Sequence, residues 1–151
     1  MKIYAGNVTN GGGNWFDLDD YASASDFYDA VGADDDVNYL DFEDIHISFC
    51  GAYADISAIY DYKDLCDNNN QAVIDAGLDC DIPLDSILDA YAGEYDSDAD
   101  FAENIAGECG YIDEMHKISP WLAYCIDWNK AGRELMFDYC ESNSHYFCNN
   151  Y

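Results

Sequence analysis

Leu84, Ile87, Leu88 and Tyr91 recur at the i, i+3, i+4, i+7 spacing of a buried helix face. Asp81, Asp85 and Asp89 recur every four residues on another face, which predicts a row of carboxylates about 6 Å apart along one helix. Elsewhere the pattern is shorter. Residues 2–5 and 14–18 read as strands separated by a loop over Gly6–Gly13. Ser23 or Ser25 can cap a helix over 25–31, and 37–43 alternates as a strand, with Val37, Tyr39 and Asp41 set against Asn38, Leu40 and Phe42. Ile56, Ile59, Tyr60 and Lys63 predict a short helix, Asn68–Asn70 a break, and Val73, Ile74 and Leu78 a second helix. Ser97 can cap a helix carrying Phe101, Ile105, Cys109 and Ile112. Ile118, Trp121, Leu122, Cys125 and Ile126 form a further apolar stripe, expected to pack in a core. Tyr139-Cys140 and His145–Cys148 around Glu141–Ser144 read as a hairpin. The expected class is α+β, in three parts: an N-terminal sheet and helix over 1–52, a helical module over 53–83, and helices with a hairpin over 84–151.

Charge changes this picture more than any motif does. The chain has 151 residues, 32 of them acidic and 5 basic, for a net charge of −27, yet half of it is hydrophobic. An acidic disordered tail lacks aromatics, whereas this chain has 14 Tyr, 7 Phe and 3 Trp. A folded body carrying that charge repels itself, which points to the charge as the function. The acids divide evenly, sixteen in residues 1–75 and sixteen in 76–151, and Asp outnumbers Glu by 25 to 7. Asp is a good cap and holds its carboxylate close to the backbone. Duplex DNA carries one charge per roughly 1.7 Å, so −27 corresponds to about 46 Å of duplex. That exceeds the about 30–35 Å of a globule of this length, and an elongated chain would match it. Nucleic acid and anionic membranes would be repelled; the expected partner is a basic surface or a cation.

Other chemistry fits poorly. Asp34, Asp36 and Asn38 match the first ligands of a calcium loop, but Tyr39 stands where Gly is needed and Ile45 where Glu is needed. Asp96, Asp98 and Asp100 fail likewise at Phe101 and Gly107. No dedicated metal or cofactor is expected, although an acidic calcium-binding module remains one alternative and a halophile-adapted globular protein another. His46, His116 and His145 are isolated, and no nucleophile motif is present, so enzymatic activity is not expected. The seven cysteines lack paired spacing and read as small buried hydrophobes in a reducing compartment. No apolar run approaches the length of a membrane span, and the N-terminal residues lack a signal-peptide pattern, so a cytoplasmic location is expected.

The run from Tyr91 to Glu103 resembles the signature of the ArdA antirestriction proteins, through Tyr91, Gly93, Glu94, Tyr95, Asp96, Ser97, Asp100, Phe101, Ala102 and Glu103. Ile3–Gly6 with Trp15–Leu18 is similar to that family's N-terminal strands, and Asp138-Tyr139 with His145–Phe147 to its C-terminal hairpin. Residues 50–82 match least. The resemblance implies a DNA mimic from a mobile genetic element. Such a protein acts in the bacterial cytoplasm as an elongated homodimer that occupies the DNA-binding groove of type I restriction-modification enzymes. Candidates for the phosphate-like surface are Asp34, Asp35, Asp36, Asp81, Asp85, Asp89, Asp98 and Asp100. Tyr91, Tyr95 and Phe101 are expected to anchor the fold, and Ile105, Tyr111 and Ile112 to supply a dimer contact.

Overall fold

Three antiparallel strands open the chain in a computed structural model that describes residues 1–7, 12–32 and 37–150. β1 (Lys2–Asn7) lies between β2 (Gly12–Asp17) and β3 (Val37–Glu43). Both β1 and β2 run further into the expected loop than the sequence pattern indicates. The reason is glycine: Gly6 pairs with Gly13 across the ladder, and a Cβ on Gly6 would sit 2.6 Å from the Gly12 carbonyl oxygen. The alternation read in β3 also changes midway. Tyr4 pairs with Asp41 but Ala5 with Tyr39, so Leu40 is bulged. Leu40 is half-exposed, while Tyr39 and Phe42 both pack on the core.

Ser23 begins α1 (Ala24–Val31), its hydroxyl accepting the Asp26 N–H at 3.2 Å. Asp55 begins α2 (Ile56–Asn68) by accepting from the Ser57 and Ala58 amides. Ile3, Leu18, Phe27, Ile56 and Ile59 form the core of this first unit, with Phe16, Tyr21 and Tyr39 arranged around the Phe27 ring at 5.8–6.1 Å. On α2 the buried face is Ile56, Ile59, Tyr62 and Cys66. Lys63 does not complete that face, because it turns to two carboxylates.

By its internal packing the chain divides into two units, residues 1–71 and 72–151. The second begins within α3 (Gln71–Asp79), whose Gly77 accommodates the Ile87 side chain; a Cβ there would meet Ile87 Cγ2 at 2.6 Å. The helix expected over 81–91 does not form. Asp81 has φ +58, Pro83 follows, Leu84–Ser86 is a 3-10 turn, α4 is only Ile87–Ala90, and Tyr91 already belongs to β4 (Tyr91–Glu94). Proline disfavours helix in the residue before it and cannot continue a helix begun upstream.

α5 (Asp98–Glu108) starts at Ser97 as expected, but Gly110 at φ +75 ends the apolar run, and Ile112 lies on α6 (Tyr111–Ile118). The stripe from Ile118 to Ile126 is not a core stripe. Pro120 starts the single turn α7 (Pro120–Ala123), and Ile118, Trp121, Leu122 and Cys125 are exposed. α8 (Trp128–Leu135), which the apolar pattern does not announce, packs on α5. Its Gly132 permits the approach, since a Cβ would lie 2.5 Å from the Asp98 carbonyl oxygen.

β5 (Tyr139–Ser142) and β6 (His145–Cys148) form the expected hairpin, with Asn143 and Ser144 both at positive φ, as a type I′ turn requires. β6 is the middle strand of the second sheet, between β4 and β5. The fold class is α+β. All seven cysteines are free, but only Cys66 is buried, and Cys109 and Cys125 are exposed in the turns that follow α5 and α7.

Candidate functional site

The acids are a surface. Among the described residues Asp17, Asp75 and Asp98 are half-buried and every other Asp and Glu is exposed. Asp81, Asp85, Asp89 and Asp100 are exposed, whereas Asp34, Asp35 and Asp36 lie outside the described residues. Asp81, Asp85 and Asp89 do not form a helical row. They occupy a left-handed turn, a 3-10 turn and α4 in succession, so one-turn spacing along an axis does not apply to them.

Few of these charges are neutralised. Lys2 pairs with Glu43 at 3.1 Å, Lys117 with Glu114 at 2.7 Å, and Lys63 with both Asp19 and Asp67. Lys130 and Arg133 make no ion pair among the described residues. The hydrogen bond from Lys63 holds the Asp19 carboxyl below the usual carboxylate range, and the same two carboxylates raise Lys63. Lys2 is raised by its hydrogen bond to Glu43. These lysines fasten local structure and leave most of the anionic field in place.

The segment Tyr91–Glu103 crosses from β4 into α5 and is built around rings. Gly93 has φ +126 beside a bulge in the β4–β6 ladder. Tyr95 covers it, and a Cβ there would meet the Tyr95 ring at 2.8 Å. The Tyr95 hydroxyl donates to Asn104 Oδ1 at 3.0 Å, with the Ala92 carbonyl 3.3 Å away as the alternative acceptor. Phe101, fully buried, stacks on Tyr146 at 4.6 Å and meets Tyr139 at 4.9 Å and Tyr95 at 5.2 Å. Tyr91 packs on Phe147 at 5.4 Å, and its hydroxyl lies 3.1 Å from His145 Nδ1. Ser97 Oγ accepts the Asp100 N–H and donates to Asp100 Oδ2 at 2.8 Å. Ala102 is buried beside Phe101, while Glu94, Asp96 and Glu103 face solvent.

Asp98 serves the fold as well as the surface. Its Oδ1 accepts from the Tyr146 hydroxyl at 2.9 Å, and burial together with this bond raises the Tyr146 phenol above its ordinary value. Tyr139 and Tyr146, which complete the ring cluster, were legible only as hairpin residues. Their link to Phe101 is a tertiary contact across many residues of chain.

Ile105 and Ile112 are half-buried and Tyr111 is 64% exposed, close in sequence to the exposed Ile118, Trp121 and Tyr124. Among the described residues no group of three or more His, Cys, Asp or Glu is placed to hold a metal ion, and no helix is long and apolar enough to cross a membrane.

A family model described as antirestriction protein (ArdA) matches residues 7–147. No curated protein and no solved structure gives a significant match. The family match spans nearly the whole chain, and the resemblance carried by Tyr91–Glu103 is borne out: this protein belongs to the ArdA antirestriction family.

Proposed function

We propose that this antirestriction protein acts as a DNA mimic, occupying the DNA-binding groove of a type I restriction-modification enzyme and excluding DNA by competition. The observation that carries the reading is the exposure of nearly every described acid on both units, with three lysines engaging carboxylates among the described residues. A groove built for phosphates offers Lys and Arg side chains to such a surface, and the association is stoichiometric binding without a chemical step. Asp81, Asp85, Asp89, Asp98 and Asp100 belong to this surface, and Asp34, Asp35 and Asp36 would extend it. The site of action is the bacterial cytoplasm, where incoming DNA meets the enzyme.

The protein acts as a homodimer. Ile105, Tyr111 and Ile112 lie in the C-terminal third, near the exposed Ile118, Trp121 and Tyr124, and this apolar surface supports a contact between copies there.

The test is displacement of labelled DNA from a purified type I methyltransferase core. Excess protein should displace the DNA, and the effect should weaken as salt rises, because exposed charges are screened beyond about 10 Å at 0.1 M. Failure to displace DNA at low salt would overturn the reading.

A further inference from the structure

The first sheet has two unlike faces. Ile3, with its cross-strand neighbours Phe16 and Phe42, packs into the core. The opposite face carries Tyr4, paired directly with Trp15 on β2 and with Asp41 on β3. The Tyr4 and Trp15 rings meet edge to face at 5.4 Å, and Trp15 is 47% exposed. Gly13 leaves room for the Tyr4 ring, since a Cβ there would be 2.9 Å from Tyr4 Cε1. Acids flank the rings. Asp41 is exposed and held in place by the Phe42 N–H at 2.9 Å. Asp17 and Glu43 stand opposite Lys2, the one cation among the described residues of this face, which Glu43 engages.

We propose that this face is a docking surface for arginine on a basic partner protein, with the guanidinium stacked on the exposed Trp15 ring, which Tyr4 braces edge to face, while its in-plane N–H groups reach across Tyr4 toward Asp41. The occupant follows from charge and geometry together. The face carries more carboxylates than cations, so it selects a basic partner. Tyr4 is directly opposed to Trp15 on one side and to Asp41 on the other, and opposed side chains stand about 4.5–5.5 Å apart at Cβ, so the exposed ring and the carboxylate flank one residue across the sheet. A planar guanidinium can stack on a ring and donate in its own plane at once, whereas a compact ammonium cannot. Carboxylates elsewhere on the surface can also take a guanidinium bidentately, so the mark of this face is the part of the arginine preference that depends on the Trp15 ring. The inference rests on reading the acidic surface as a ligand for basic proteins.

The test titrates the whole protein with hexa-arginine and hexa-lysine peptides at matched ionic strength. The wild type should bind the arginine peptide about two- to fivefold more tightly, the size of an exposed cation–π contact. Trp15→Leu should reduce that preference and leave lysine-peptide affinity unchanged, and Trp15→Phe should restore most of what is lost. In the wild type, the Trp15 indole N–H resonance should move with the arginine peptide and stay in place with the lysine peptide, a readout independent of whether Trp15→Leu folds. Equal affinities in the wild type, an unchanged preference in a folded Trp15→Leu, or a change in oligomeric state on that substitution (a face covered by a second copy) would each overturn the proposal. DNA displacement from the methyltransferase core is scored separately. A positive peptide result with no displacement would keep the arginine face and remove the proposed target.

Discussion

Replacing Phe101 with Leu separates the two roles open to the family segment, holding the fold or touching the target. Phe101 is fully buried, with Tyr146, Tyr139 and Tyr95 ring centroids at 4.6, 4.9 and 5.2 Å. Leucine keeps most of the apolar volume and removes all three ring contacts. Each such pair contributes about 0.5–1.5 kcal/mol beyond its buried area. The three share one ring and do not add independently, which places the loss at about 2 kcal/mol. For a chain of 151 residues, 1 kcal/mol moves Tm by about 2–4 °C, so the variant should melt about 4–8 °C lower. Thermal melting followed by circular dichroism measures this, and guanidinium titration should show a lower midpoint with an unchanged slope. Well below the new Tm, DNA displacement should match the wild type, because no surface carboxylate has changed. A loss under about 0.5 kcal/mol would refute the ring-cluster account. A normal melt with lost inhibition would make the segment a contact with the target.

Gly93→Ala should lower stability by about 1–3 kcal/mol, since alanine at φ +126 is strained and its methyl meets the Tyr95 ring; thermal melting reads the change. Burial and the bond to Asp98 raise the Tyr146 phenol, so the unfolded chain releases that proton near pH 10 while the folded chain still holds it. Stability should therefore fall as pH rises past about 10, and Tyr146→Phe should make the fall shallower in denaturant titrations across that range. Asp89→Asn should weaken DNA displacement by no more than about fivefold, the size of one exposed ion pair; abolition by this one change would replace a shared field with a specific site. Ile112→Asp should shift the particle to monomer in size-exclusion chromatography, and a variant that remained dimeric would move the contact elsewhere.

What was legible in the sequence was local. Ser97 caps its helix as expected, and of the two serines open for α1, Ser23 and Ser25, it is Ser23 that caps. The C-terminal hairpin was legible because two short apolar runs flank the turn-forming Glu141–Ser144. Non-local geometry was not. The Leu40 bulge depends on register with β1 and changes which residues of β3 reach the core. The carboxylate row at Asp81, Asp85 and Asp89 failed because periodicity was read through Pro83, whose backbone restriction outweighs three well-spaced side chains. α8 was missed because Gly132 and the Asp98 backbone, distant in sequence, decide how closely it approaches α5. For the acidic surface, composition carried nearly all of the information. Exposure is what isolated carboxylates require, since burying an unpaired charge is too costly.

Aspartate resolves the conflict between that charge and a stable fold. Asp17 accepts from a 3-10 turn, Asp55 from the first turn of α2 and Asp127 from the first turn of α8. Asp26 and Asp100 sit in the first turns of α1 and α5, bound by the capping serines. The N-terminus of a helix carries partial positive charge, and a carboxylate there contributes about 0.3–1 kcal/mol. A lysine would offset the same repulsion by cancelling the charge. Backbone N–H groups are dipoles, so they stabilise the carboxylate and leave the net charge unchanged. The side chain is short enough that one oxygen can take the amide while the other stays in water. A chain selected to keep an anionic field would gain stability from caps in preference to ion pairs. The three paired lysines and the excess of Asp over Glu are then two results of one constraint.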